Sequence, residues 1–178
     1  MADDAVLRAR FEGLLELYGA GLRRVARSYA WRTDEAEDLF QEIALAVWRA
    51  LPSFRGECSD RTFVFRVAHN RGLTFAERVR RPEVHRERDD AARDNAPSDA
   101  PSPEERLGGE RRRDALFAAI RELQPGARAC VTLALEGLSH EEIAEVVGVT
   151  ANAVGVRLSR ARDQLKRALQ DQATGGVS

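Results

Sequence analysis

The 178-residue sequence is poor in several residue types that carry chemistry: it has two cysteines, three histidines and one methionine. Cys58 and Cys130 lie too far apart for a metal clip and are too few for a disulfide framework. Both are expected to be ordinary thiols in a reducing compartment. Cys58 with His69 would offer two ligands where a structural zinc site takes about four, so no metal and no cofactor is expected. There is no glycine-rich phosphate loop, no nucleophile motif and no clustered His/Cys/carboxylate set, so the chain does not read as an enzyme. No apolar run approaches the roughly 18 residues of a membrane span, so no membrane insertion is expected. The N-terminus "MADDAVLRARFEG" is charged throughout and does not read as a signal peptide. A cytoplasmic protein follows. No stretch alternates like a strand.

What the chain has is charge, unevenly placed. The net charge is −1, but it hides opposing blocks. Residues 61–81 hold six arginines against Glu77 alone, whereas 34–42, "DEAEDLFQE", has five acids and no base. Residues 150–170 hold Arg157, Arg160, Arg162, Lys166 and Arg167 against Asp163. Between them, 82–110 carries nine acids, four bases and Pro82, Pro97, Pro101 and Pro103. Its first part has too little apolar content to offset the cost of ordering it. The organisation is therefore all-α: two small helical domains joined by a flexible acidic linker. The N-terminal domain is 1–81, the linker 82–110, the C-terminal helix-turn-helix domain 111–171 and a tail 172–178.

Apolar spacing predicts helices at about 4–18, 21–30, 34–51 and 61–80 in the first half. Pro52 ends the third, and Glu37 is a candidate cap partner for a start at Asp34. In the fourth, Phe63, Phe65, Val67, Ala68 and Val79 are expected to face inward. Helices at about 106–122 and 125–136 follow. Ser139 with Glu142 then forms a capping box for a short helix ending at Val147. Gly148 supplies the positive φ of a helix stop, and Thr150 caps a helix to about Gln170.

Ile143, Ala144, Val147, Gly148, Val149, Val154 and Leu158 fit a helix-turn-helix, in which the second helix enters a major groove. The basic run 61–81 adjoins Phe54, Phe63, Phe65 and Phe75, together with His69 and Asn70. Charge for phosphates beside aromatic and polar groups for bases suits single-stranded nucleic acid. The same phenylalanines equally suit a core. The acidic run 34–42 suits either a helix start, where carboxylates favour the dipole, or a docking surface for a basic partner.

Three stretches in order, "AEDLFQEIALAVWRALPSFRGE", "RTFVFRVAHNRGLTFAERVRR" and "LQPGARACVTLALEGLSHEEIAEVVGVTANAVGVRLSRARDQLKRAL", carry a family likeness. Over about residues 10–170 the chain resembles the extracytoplasmic-function (ECF) type of bacterial RNA polymerase sigma factor. The resemblance implies that Asp38, Gln41 and Glu42 dock on the β′ clamp coiled coil of core RNA polymerase. It implies −10 promoter opening by Phe54, Arg55, Arg66, His69, Asn70, Arg71, Arg78, Arg80 and Arg81. It implies −35 reading by Thr150, Asn152, Gly155, Val156, Arg157, Ser159 and Arg160, with this domain seated on the β flap. Promoter DNA and core polymerase are the implied partners, and an anti-sigma protein is a further one.

The sequence departs from the family pattern at the reading helix. Gly155 stands where a base-reading Lys or Arg is usual, and Val156 where Ser is usual. Phe63 replaces a frequent tryptophan and His69 a frequent basic residue. An alternative reading is a stand-alone helix-turn-helix transcription regulator, with the first half as a dimerisation or sensing domain. A regulator need not melt DNA, so the acidic helix beside the basic one favours the sigma reading.

Overall fold

Leu39, Ile43 and Val47 recur every four residues, and such a row needs a helix to share one face. In the computed structural model, which describes residues 2–80 and 103–174, they are fully buried on α2 (Thr33–Ala50). A 3-10 turn over Leu51–Ser53 closes α2, because Pro52 has no N–H to continue the ladder. The start differs from expectation. The capping residue is Arg32, whose backbone N–H donates to Glu35 Oε2 at 3.4 Å. Glu37 turns away to pair with Arg23. Arg32 also binds the Asp34 carboxylate at 3.1 Å, and this bond holds the Asp34 carboxyl below the usual range.

The two helices expected at 4–18 and 21–30 are a single helix, α1 (Ala2–Tyr29). Buried Leu14, Leu22, Val25, Ala26 and Tyr29 form one stripe through the glycines. Gly21 is there for close approach: a Cβ on it would lie 2.6 Å from Glu136 Oε2 and 2.9 Å from the Phe65 ring.

α3 (Asp60–Arg80) packs across α1 and α2 through Phe63, Val64, Phe65, Ala68 and Phe75. Val79, expected inside, is 54 % exposed. Its neighbours Glu77 and Arg78 are exposed too, so the last turn of α3 projects past the core. The α1–α3 crossing is tight at Gly72, where a Cβ would meet the Tyr29 ring at 2.5 Å. The Tyr29 hydroxyl shares a 2.8 Å hydrogen bond with His69 Nδ1. His69 is therefore core, not surface, and burial pushes its pKa down.

The second half contains α4 (Pro103–Arg121), α5 (Pro125–Leu135), α6 (His140–Val147) and α7 (Ala151–Thr174). α4 takes in 103–110, the end of the stretch read as linker, while 82–102 and 175–178 lie outside the described residues. The capping box is present: Glu142 N–H donates to Ser139 Oγ at 3.2 Å, and Ser139 N–H to Glu142 Oε2 at 2.8 Å. Gly148 has φ 74, and Ala153 N–H donates to Thr150 Oγ1 at 3.2 Å. Ile120, Leu123, Val131 and Ala161 make a small core of their own. The larger core runs through both halves, with α6 on α3 and with α4 and α5 on α1. Among the described residues there is no strand.

Two predictions follow from the α1–α3 crossing. Gly72→Ala gains about 1 kcal/mol of helix propensity but forces a methyl into the Tyr29 ring, an overpacking cost of about 1–3 kcal/mol. A net loss of thermal stability is expected, read as a lower Tm by circular dichroism. His69 stays neutral in the fold, whereas in the unfolded chain it takes up a proton near about pH 6.5. Its contribution is complete above that pH and is lost as pH falls toward the depressed folded value. His69→Gln keeps an acceptor for Tyr29 and should shrink the fall in Tm between about pH 7.5 and 5.5; an equal fall in both proteins would contradict this.

Candidate polymerase and nucleic-acid interfaces

Burying Leu39, Ile43 and Val47 turns the opposite face of α2 to water. Asp34, Glu37, Asp38, Gln41 and Arg49 are exposed there. Leu45, one turn beyond Gln41, is also 47 % exposed. Sequence reasoning passed over Leu45, although its four-residue spacing from Gln41 was the available signal. Glu42 is half-buried and accepts from Arg78 Nη2 of α3 at 3.0 Å. Asp38 and Gln41 thus stand at the open centre of an acidic face, and Glu42 at its edge against the basic helix.

On α3, Arg66, Asn70, Thr74 and Arg78 recur every four residues along one face. Asn70 is exposed, and its carbonyl accepts from Thr74 Oγ1 at 3.0 Å, leaving the amide side chain outward. Arg71 is half-buried beside it. Arg66 donates to Cys58 Sγ at 3.6 Å and to Glu145 Oε1 of α6 at 3.4 Å. Burial pushes the Cys58 thiol up while Arg66 pulls it down, and the balance leaves it raised, an ordinary unreactive thiol. Arg80 ends α3, and Arg81 lies outside the described residues.

The aromatics divide. Phe63, Phe65 and Phe75 are core. Phe54 lies in the loop before α3, stacked on Phe63 with centroids 4.2 Å apart and planes 13° from parallel. Arg10 sits over the Phe54 ring at 5.3 Å. Arg55 is exposed next to Gly56, whose φ of +77 bends the loop. His69 is corrected from the candidate set: it faces Tyr29 and not solvent.

On α7, burial of Val154 and Ala161 sets the register. Asn152, Val156, Ser159 and Arg160 are exposed. Val156 is 44 % exposed. Gly155 is half-buried, with a Cβ position 3.7 Å from the His140 ring of α6. Arg157 is half-buried. It is turned onto α5, where a Cβ on Gly126 would lie 3.1 Å from Arg157 Nη1. Its positive charge opposes the upward push of burial on the Cys130 thiol. Arg157 thus lies half-buried along α5. Thr150 is exposed but committed to its cap.

No helix among the described residues is long and apolar enough to cross a membrane, and no group of three or more His, Cys, Asp or Glu could hold a metal ion.

Residues 14–81 match sigma-70 region 2, and residues 113–165 match sigma-70 region 4. The RNA polymerase sigma-H factor of Pseudomonas aeruginosa is 33% identical over 142 residues, spanning 76% of this chain and 74% of that one. The ECF RNA polymerase sigma-E factor of Escherichia coli K12 is 30% identical over the same shares of the two chains. RNA polymerase sigma factor NccH of Alcaligenes xylosoxydans xylosoxydans is 28% identical over 94% of this chain and 95% of its own. Among solved structures, CnrH in complex with the cytosolic domain of CnrY superposes with a TM-score of 0.66 at 27% identity, covering 92% of this chain and 89% of that one. The sigma factor RpoE in complex with the anti-sigma factor NepR from Bartonella quintana shares the fold, with a TM-score of 0.68 at 24% identity over 90% of this chain and 97% of that one. The two regions, in this order on the framework described above, place the chain in the ECF RNA polymerase sigma factors, which bind core polymerase and direct it to promoters.

Proposed function

We propose that the three exposed faces divide the work of initiation. The acidic face of α2, with Asp38, Gln41, Glu42 and Leu45, docks on the β′ clamp coiled coil. A charged rim around one apolar side chain suits a specific, electrostatically steered contact. The loop with Phe54 and Arg55 and the outward row of α3 take the −10 element. Asn70 contacts an unstacked base, while Arg66, Arg71, Arg78, Arg80 and Arg81 neutralise phosphates. The α6–α7 unit reads the −35 element and seats on the β flap. Asn152 and Val156, one turn apart, offer an amide for the edge of adenine and methyls that suit the methyl of thymine. That pairing explains how a reading helix can do without a long basic side chain at 155. Arg160 adds a cation for guanine or phosphate.

The observation that carries this reading is the juxtaposition of opposite faces on one folded half: the acids of α2 and the basic row of α3 meet at the Glu42–Arg78 bond. A stand-alone regulator would have no use for that arrangement. The chain supplies address and melting, not chemistry, and acts where the polymerase is, in the cytoplasm. Because two structural relatives were solved with CnrY and with the anti-sigma factor NepR, an anti-sigma protein is the expected inhibitor of this chain as well.

Purified chain added to core polymerase should give promoter-specific starts in vitro. Gln41→Ala with Glu42→Ala should weaken core binding by roughly tenfold or more with circular dichroism unchanged. Unchanged affinity would remove these residues from the docking face. Asn70→Ala should slow open-complex formation while core binding stays normal; full permanganate reactivity at the −10 region would assign the base contact elsewhere.

A further inference from the structure

Phe54 has two ring faces, and they are covered differently. Phe63 lies on one, with centroids 4.2 Å apart and planes 13° from parallel. The guanidinium of Arg10, on α1, stands over the ring 5.3 Å from its centroid. With Phe63 filling one face, the cation takes the other. Arg10 Nη2 also donates to Asp60 Oδ1, in the first turn of α3, at 2.9 Å. Phe63, Phe54 and Arg10 thus form three layers. Phe63 is 5 % exposed and the Arg10 side chain 43 %, so the stack is closed from below and open at the top. Arg10 precedes the 14–81 match to sigma-70 region 2, and nothing in its charged surroundings marks it in sequence.

Cohesion alone does not account for the top layer. An ion pair as exposed as Arg10–Asp60 contributes little to stability. An apolar side chain would cover Phe54 more completely than a guanidinium does. What the guanidinium adds is a second flat face, and its two anchors, ring and carboxylate, hold that face in place. Single-stranded bases stack on aromatic rings and on guanidinium planes alike. Asp60 offsets the charge of Arg10 and repels phosphate, so the platform suits the face of a base. Arg55, exposed in the same loop, is placed for the phosphate beside it.

We propose that Arg10 is a nucleic-acid contact: one unstacked base of the −10 single strand lies on the outer face of its guanidinium, with Phe54 and Phe63 as the layers beneath. The proposal rests on the −10 reading of this loop given above, and it brings α1 into a site otherwise made by the loop and α3. The base is not the one assigned to Asn70. Asn70 stands about 15 Å further along α3 than Asp60, at 1.5 Å per residue, so two bases are held at two places. Planar stacking also explains why the layer is arginine: a lysine there would keep the charge and lose the plane.

The test uses the full chain bound to core polymerase and a labelled oligonucleotide carrying the non-template −10 element of its own mapped promoter. Fluorescence anisotropy reads affinity for the intact strand and for a set with one abasic site at each position in turn. Arg10→Ala should weaken binding of the intact strand at least about fivefold, the lower end for loss of one stacked base. At one abasic position the wild type and Arg10→Ala should bind equally, because the base that the platform holds is already gone. Arg10→Lys should stay weak. Core affinity and circular dichroism check that both variants dock and fold, and Arg10→Lys carries the same comparison should Arg10→Ala lose its fold. An Arg10→Ala chain that weakens every strand equally, intact or abasic, would show that Arg10 only sets the loop, and would overturn the proposal. So would full affinity in either variant. Failure of the −10 reading is a distinct result: the wild type then binds intact and abasic strands alike at every position.

Discussion

The ring of Tyr29 is the point through which the molecule is organised. It lies at the end of α1, is 4 % exposed, and meets two other helices. Gly72 of α3 comes against its face, so closely that any side chain there would overlap the ring. His69 of α3 shares its hydroxyl. The guanidinium of Arg128, on α5, stands 6.0 Å from its centroid. A phenol suits this place because it buries a large apolar area while its polar tip is satisfied. With Gly72 and His69 turned inward, the remaining faces of α3 are fixed. Asn70 is one residue from His69 and two from Gly72, so the α1 crossing delivers it to solvent. The position of the base-contacting candidate follows from where a tyrosine and a glycine meet.

Much of the fold was legible because it rests on local rules. The four-residue spacing of Leu39, Ile43 and Val47, the Ser139–Glu142 box, Gly148 and Pro52 each act within a few residues of themselves. The gap expected between residues 18 and 21 is absent, because α1 runs straight through it. Glycine breaks a helix by propensity alone, but at 21 the deciding fact is a carboxylate more than a hundred residues away in the chain. Val79 failed likewise, since periodicity marks a face but does not say where the partner helix stops.

The candidate surfaces were legible as charge and less so as geometry. Asp38, Gln41, Asn70, Asn152 and Arg160 are exposed, as the roles proposed for them require. His69 satisfied its polar group inside, on Tyr29, while Arg157 lies half-buried along α5. A histidine among arginines and an arginine on a reading helix look functional in sequence, and only their neighbours in space decide. Leu45 shows the converse, an apolar residue on a polar face that no charge pattern would single out.

The contact between the halves has a polar rim. Arg27–Asp114, Arg66–Glu145 and the Arg121 guanidinium over Trp31 are all at least partly solvent-exposed. Pairs of this kind contribute about 0–1 kcal/mol each. The Glu136 carboxylate, 5 % exposed and bound by Arg24 at 2.6 Å, differs. Buried without Arg24 it would cost several kcal/mol, so only one docking geometry is tolerated. The rim pairs and this one demanding carboxylate add specificity to an apolar core that Leu133, Leu138, Ile143 and Val146 share with Val64 and Phe65.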